Sequence, residues 1–405
     1  MVCRASTKIG RPYPSFDDLA ILPAQVSGKI PIDPYRDDIH TGVKIGEDKV
    51  KKPLVLRTPI FVVSGSYGEI SKPCKMAYAY GTAIAGAAIL SGDGGLTAEE
   101  LDILNRHGGK LIYQWTPGRF GLNLATMRDA DAIVIELGIG TGAFGKFLLA
   151  DKLTSALATT HALPENVDII GHGYFPDLAN AEDLRKHVEL VREITRYRIP
   201  VIVKLSAGAV YEELRASIES AADAVMICGR EVRQLGSATS VAGVRANQNI
   251  GLPVLGIFSP ALKAIRDTMG TNKSIKLIVA GGISTGADIY KALALGADAI
   301  GIDTVLHPYV GCTGCNKCYT GKCSQGIATH VPELESKLDW RSVGDSIAKF
   351  IAILTEELRV LTALSGYSDI SQIDDNNLRA LNYDAAVLTG IKLIGYDKPL
   401  PLWEH

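Results

Sequence analysis

The chain has 405 residues, 47% of them hydrophobic and 21% charged, which supplies one large core or two modest ones and excludes a disordered chain. A formal net charge of -2 gives no electrostatic pull toward nucleic acid or an anionic membrane surface. No run of about eighteen apolar residues occurs, and Met1 leads into Cys3, Arg4, Ala5 and Ser6 rather than a signal segment, so a cytoplasmic protein is expected.

Residues 1–52 are polar and rich in proline and aspartate. They read as an extended arm laid over the main body, with Tyr13, Phe16, Leu19, Ile21 and Leu22 as the side chains that want burial. From Pro53 onward, apolar runs of strand length alternate with amphipathic segments of helix length, the pattern of βα units and a parallel sheet. Strands are predicted at 60–63, 83–88, 110–114, 132–137, 200–205, 224–228, 253–257, 276–280 and 299–303. Helices fit between them, as at 181–197, where Leu184, Val188, Val191 and Ile194 share a face, and at 211–221. A (β/α)8 barrel has room for eight strands, and 253–257 is the candidate for the excursion. The runs are apolar on both faces, which requires cover on both sides, as in a TIM barrel or a doubly wound sheet. Strand number and the glycines of the last two strands favour the barrel. A helix at 345–365 and a short one at 377–381 follow, as cover for the side or bottom of the barrel. The expected organisation is thus an arm (1–52), a barrel (53–310), a cysteine loop (311–330) and a helical extension (331–405).

The chemistry gathers near the end of the strand series. Gly281 and Gly282 close one apolar run, and Ala299, Ile300, Gly301, Ile302 and Asp303 form the next. Glycines directly after a buried strand let backbone N–H groups approach a phosphate, so a flavin-type phosphate site is expected here. Glycine-rich loops also follow earlier strands, at 64–68, 91–95 and 138–142. Any one of them can be a plain tight turn, but together they mark the face where barrels keep their sites. Immediately downstream, Cys312, Cys315, Cys318 and Cys323 read C-x2-C-x2-C-x4-C, while Cys3, Cys74 and Cys228 are scattered. Overlapping pairs favour an iron–sulfur cluster, with structural zinc as the alternative. Lys204 lies in the apolar run Val201-Ile202-Val203-Lys204-Leu205 and calls for an anionic partner, unless its ammonium escapes to the strand end. Gln114 and Arg119 suit either a site or a rim salt bridge, and His172 is a loop histidine open to a structural or a site role.

With these elements assembled, the chain resembles the FMN-binding synthase domain of glutamate synthase over residues 59–329. The likeness rests on Cys312-x5-Cys318-x4-Cys323 followed by Gly326, Ile327, Ala328 and Thr329. It extends to Ser64-Gly65-Ser66-Tyr67-Gly68-Glu69-Ile70-Ser71, Gly92-Asp93-Gly94-Gly95, Gln114 with Gly118-Arg119-Phe120-Gly121, Lys204, and Gly281-Gly282 with Thr285-Gly286. The resemblance implies FMN contacts at Ser64, Gly65, Gln114, Lys204, Gly281, Gly282 and Gly301, and substrate-side roles for Lys204, Gln114 and His172. In the family, three thiols carry a [3Fe-4S] cluster; here Cys315 offers a fourth, as a [4Fe-4S] cluster requires.

Departures stand beside the likeness. Gly138, Thr141 and Phe144 replace the family's glutamine and lysine side chains after the fourth strand, and Gly229, Arg230, Glu231, Val232, Arg233 and Gln234 replace a glycine- and histidine-bearing run after the sixth. No glutaminase domain precedes the barrel, so ammonia is expected from solution or from a separate glutaminase subunit. No G-x-G-x-x-G opens a βα unit, so electrons are expected from ferredoxin or a partner electron-transfer subunit. The expected activity is reduction of an imine derived from a keto acid and an amine to an amino acid, in an oligomeric assembly. The alternatives are an N-methylglutamate synthase-like subunit, a non-catalytic electron-transfer subunit, and a hydroxy-acid oxidase.

Overall fold

In the computed structural model, the described residues are 13–26, 29–47, 49–137, 147–148, 150, 153–233, 249–270 and 274–396. Eight parallel strands close into a barrel in chain order: β1 (Ile60–Val62), β2 (Ala88–Leu90), β3 (Lys110–Trp115), β4 (Ala132–Glu136), β5 (Val201–Ser206), β6 (Ala224–Cys228), β7 (Lys276–Ala280) and β8 (Ala299–Ile302). The seam is made by β8 against β1, with Ile300 opposite Ile60. Around them lie α1 (Lys72–Ala85), α2 (Ala98–His107), α3 (Leu124–Asp129), α4 (Ser155–His161), α5 (Ala181–Ile194), α6 (Val210–Glu219), α7 (Leu255–Met269), α8 (Gly286–Ala294) and α9 (Trp340–Leu364).

Side chains alternate across each strand, so parity decides which ones enter the barrel. Ile112, Ala132, Val134, Ile202, Ala224, Met226, Ile278 and Ala299 form one buried cluster inside, whereas Tyr113, Ile133, Ile135, Val201, Val203, Val225 and Ile227 pack outward under the helices. The hairpin of Val43–Ile45 and Leu54–Leu56 contributes Ile45, Leu54 and Leu56 to the inner cluster. Lys52 N–H bonds Arg198 O, just before β5 begins, so this hairpin closes the N-terminal end and leaves the C-terminal mouth for chemistry.

Three predicted elements are corrected. The segment 83–88 mostly belongs to the end of α1: Ser71 caps its start, Gly86 ends it at φ 75°, and β2 begins only at Ala88. The segment 253–257 is not a strand but opens α7, and the barrel closes with the other eight. At 377–381 a strand, Leu378–Ala380, pairs antiparallel with Leu19–Ile21, and a helix follows only at Tyr383–Thr389. Of the arm's apolar side chains, Phe16 and Leu19 are buried, Ile21 and Leu22 are half-buried, and Tyr13 is 43% exposed.

The long helix α9 packs along α1 through a reciprocal glycine contact. A Cβ at Gly81 would stand 2.7 Å from Gly344 O, and one at Gly344 would stand 2.7 Å from Tyr80 Cδ1. That approach locks the C-terminal extension onto the helix between β1 and β2.

Candidate active site

Parity carries polar side chains into the mouth. Gln114 lies two residues beyond Ile112, Glu136 two beyond Val134, Lys204 two beyond Ile202 and Cys228 two beyond Met226, so all four point inward at the C-terminal ends. The ladder sets Lys204 directly beside Glu136. Lys204 Nζ donates to Glu136 Oε1 at 2.6 Å, Gln114 Nε2 donates to Glu136 Oε2 at 2.6 Å, and Gln114 Oε1 accepts the Gly92 N–H at 2.8 Å. The two bonds to Glu136 are short and charge-assisted.

Burial acts to lower the pKa of Lys204, yet Glu136, with Cys228 and Asp303 behind it, holds the ammonium above the ordinary lysine value. Cys228 is driven the other way: burial pushes its thiol up to about 11 against the opposing pull of Lys204. Asp303, buried just past β8, accepts from Arg233 N–H at 3.0 Å and lies 3.4 Å from His307 Nε2. Lys204 meets an anionic partner within the protein, Glu136, where the sequence pointed to a flavin ring or a keto-acid carboxylate. In the sequence Glu136 is hidden near the end of the apolar run 132–137. A carboxylate at an inward position beside an inward lysine was the available signal.

The β1 and β2 loops form one wall of the mouth. Ser64 Oγ donates to Leu90 O at 2.9 Å. Beneath it Lys75 of α1, fully buried, meets Glu100 at 2.9 Å and donates to Ser91 O at 2.7 Å and Gly65 O at 3.4 Å. The glycines of 91–95 serve packing: a Cβ at Gly92 would come 2.6 Å from Ser66 Cα, and one at Gly94 2.5 Å from His161 Cε1. Gly301 is likewise accounted for by its neighbour, since a Cβ there would lie 2.6 Å from Ala280 Cβ.

The turn after β7 is built differently. Gly281 and Gly282 both take left-handed backbone, at φ 114° and 68°. The Glu231 carboxylate sits against this turn: it accepts Val254 N–H at 3.2 Å, and a Cβ at Gly281 would lie 3.3 Å from its Oε2. Burial raises the pKa of Glu231. Two consecutive left-handed glycines keep their N–H groups clear of any Cβ, which fits a phosphorylated cofactor, while the Glu231 carboxylate against the turn is a like charge to its phosphate.

The cysteine segment is tied to the same side of the barrel. Ser71 Oγ donates to Gly326 O at 2.6 Å, and His330 Nε2 lies 3.0 Å from Gly68 O. Cys312 accepts Gly314 N–H at 3.4 Å; Cys312, Cys318 and Cys323 are half-buried and Cys315 is exposed. As a donor set, four thiols fit an iron–sulfur cluster. Among the described residues, however, no three His, Cys, Asp or Glu side chains are gathered as a metal-binding group.

His172 is exposed and shares none of the bonds that join Gln114, Glu136 and Lys204. Arg119 is a rim ion-pair residue, reaching Asp177 at 2.7 and 3.0 Å. Gly138, Thr141 and Phe144 lie outside the described residues, as does Gln234. Among the described residues, no helix is long and apolar enough to cross a membrane.

Fold and mouth together define a (β/α)8 barrel with charged and polar side chains gathered at the C-terminal strand ends, the face where barrel enzymes keep their sites. Among solved structures, the chain is similar to a flavocytochrome b2 with sulfite bound, at 14% identity and TM-score 0.54 over 90% of this chain and 76% of that one. It is also similar to a mandelate oxidase, at 18% identity and TM-score 0.52 over 88% and 85%. At such identities the likeness is one of fold.

Sequence relatives are nearer. The chain is 32% identical to the glutamate synthase large subunit-like protein of Rhizobium meliloti (strain 1021), over 96% of this chain and 89% of that protein. It is also 32% identical to the archaeal glutamate synthase [NADPH] of Methanocaldococcus jannaschii, over 87% and 69%. Residues 12–368 match the family model described as a conserved region in glutamate synthase. The chain belongs to the glutamate synthase family and is a glutamate synthase-like enzyme.

Proposed function

We propose that this FMN oxidoreductase of the glutamate synthase type reduces a carbon–nitrogen double bond formed from a keto acid and an amine, giving an amino acid. The observation that carries the reading is the inward layer of Gln114, Glu136 and Lys204 on the same strand-end face as the Gly281–Gly282 turn. Ser64, Gly65, Gln114, Lys204, Gly281, Gly282 and Gly301 are the proposed FMN contacts. Bound there, FMN supplies hydride transfer; the chain supplies charge and orientation. Lys204 offers its remaining N–H donors to a carboxylate or carbonyl oxygen, Gln114 fixes the layer from the other side, and His172 borders the substrate from the loop over the mouth.

Cys312, Cys315, Cys318 and Cys323 are the proposed ligands of a [3Fe-4S] or [4Fe-4S] cluster, whose one-electron chemistry suits ferredoxin or a partner electron-transfer subunit as donor. The Methanocaldococcus jannaschii relative carries NADPH in its name, which fits a partner that relays electrons from that source. A separate glutaminase subunit is a proposed ammonia source. The arm, barrel, cysteine loop and helical extension are proposed to act as one unit, and the site is proposed to work in the cytoplasm as part of an oligomer.

Anaerobic incubation of the chemically reduced holoenzyme with 2-oxoglutarate and either ammonia or methylamine tests the reading. Flavin reoxidation that requires both keto acid and amine supports it. Failure of every amine to reoxidise the flavin overturns it.

A further inference from the structure

Glu136 has no role in the reading so far beyond pairing Lys204, yet its geometry gives it one. Its side chain is 19% exposed, against 6% for that of Lys204, so of the two partners the carboxylate shows the larger edge to the mouth. One oxygen accepts Lys204 Nζ and the other accepts Gln114 Nε2, each at 2.6 Å. An ionised carboxylate has about four lone-pair sites, so roughly two remain for a ligand. Lys204, with three N–H donors in all, spends one on Glu136 and keeps the others for an incoming oxygen. The other inward acid, Asp303, is occupied by Arg233 N–H and His307. Burial pushes the pKa of the inward Cys228 thiol up, which disfavours its thiolate.

A lysine and a glutamate side by side at the open end of a barrel form a fixed dipole. Its complement is a small molecule with a cationic nitrogen next to an anionic oxygen. We infer that Glu136 binds the nitrogen of the substrate, so that the site selects an α-amino or α-iminium acid: N–H to Glu136, carboxylate to Lys204. This rests on the proposed function and deepens it, because it gives Glu136 a contact that the nitrogen-bearing species makes and the free keto acid does not. A keto acid of the same length brings two carboxylates and no cation, and meets Glu136 as a like charge. Gln114 acts through Glu136 and is a positioning residue in this scheme.

The test uses FMN-loaded protein and follows perturbation of flavin absorbance during titration with L-glutamate or 2-oxoglutarate, a pair that differs at the reacting nitrogen. Wild-type protein is expected to bind both, with L-glutamate weakened about tenfold or more in Glu136→Gln while 2-oxoglutarate stays within about threefold or tightens. Lys204→Met is expected to weaken both ligands, through the carboxylate they share. Glu136→Gln/Lys204→Met leaves neither buried charge unpaired; titrated with FMN in excess to offset the lost Lys204 contact, it should lose both ligands.

Equal weakening of the two ligands in Glu136→Gln overturns the inference, because Glu136 would then act only by holding Lys204. Unchanged L-glutamate binding overturns it too, as does wild-type protein that takes up FMN but binds no L-glutamate. If wild-type protein retains no FMN, the proposed function itself fails, and that outcome is read before any amino acid is added.

Discussion

The wall of the mouth rests on a buried ion pair whose removal has a calculable cost. Lys75 and Glu100 are both fully buried with 2.9 Å between Nζ and Oε1, and besides Lys75 the Glu100 carboxylate is steadied only by the Thr97 backbone among the described residues. Lys75→Met strands that carboxylate, and breaking a buried pair from one side costs about 3–5 kcal/mol. Lys75→Met/Glu100→Gln gives up the same bonds to Ser91 O and Gly65 O but strands no charge, so it should recover most of that loss, to within about 1–2 kcal/mol of wild type.

The pH dependence has a definite sign. Burial already raises the pKa of Glu100 in the folded chain, with Lys75 pulling it back, and Lys75→Met removes that pull. A group whose folded pKa exceeds its unfolded value stabilises below the unfolded pKa and loses that contribution as pH rises through the folded one. The single variant should therefore be closest to wild type in mild acid and fall further behind toward neutral and alkaline pH, whereas the double variant should show no such trend. Urea unfolding followed by circular dichroism across that range reads both effects. A Lys75→Met loss below about 1 kcal/mol, or a double variant as unstable as the single, would refute the buried-pair reasoning.

Glu231→Gln, which removes the carboxylate from the Gly281 turn, should tighten FMN binding while leaving riboflavin, which lacks the phosphate, unchanged; flavin fluorescence quenching measures both. Because burial raises the pKa of Glu231, wild-type FMN affinity should fall as pH rises through that pKa, more steeply than in the variant. Gly81→Ala places a Cβ 2.7 Å from Gly344 O and should cost about 1–3 kcal/mol by forcing α9 off α1, seen as a lower urea midpoint.

Much of the barrel is legible in the sequence because its strands are buried on both faces, and such runs announce themselves without alternation. The errors fall where apolar content does not separate strand from helix. Residues 83–85, Ala-Ile-Ala, are apolar, and only the caps at Ser71 and Gly86 assign them to α1. Residues 253–257 carry no side-chain cap, and α7 tolerates Pro260, so neither end signal nor breaker rule marks it as a helix.

The site was half legible. Lys204 stood out as a charge in an apolar run. Its partner did not, because the register that seats Glu136 beside it joins positions 68 residues apart. The glycine loops show the converse limit: in sequence Gly92 and Gly94 only mark a strand-end loop, and the close approaches to Ser66 and His161 that a Cβ would block are visible only in the fold.

The most direct test of the account is the absorption spectrum of anaerobically purified protein, read together with flavin, iron and acid-labile sulfide content. One FMN per chain with iron and sulfide in the same fraction is the predicted result. A colourless protein that carries zinc and takes up no flavin on reconstitution would contradict it.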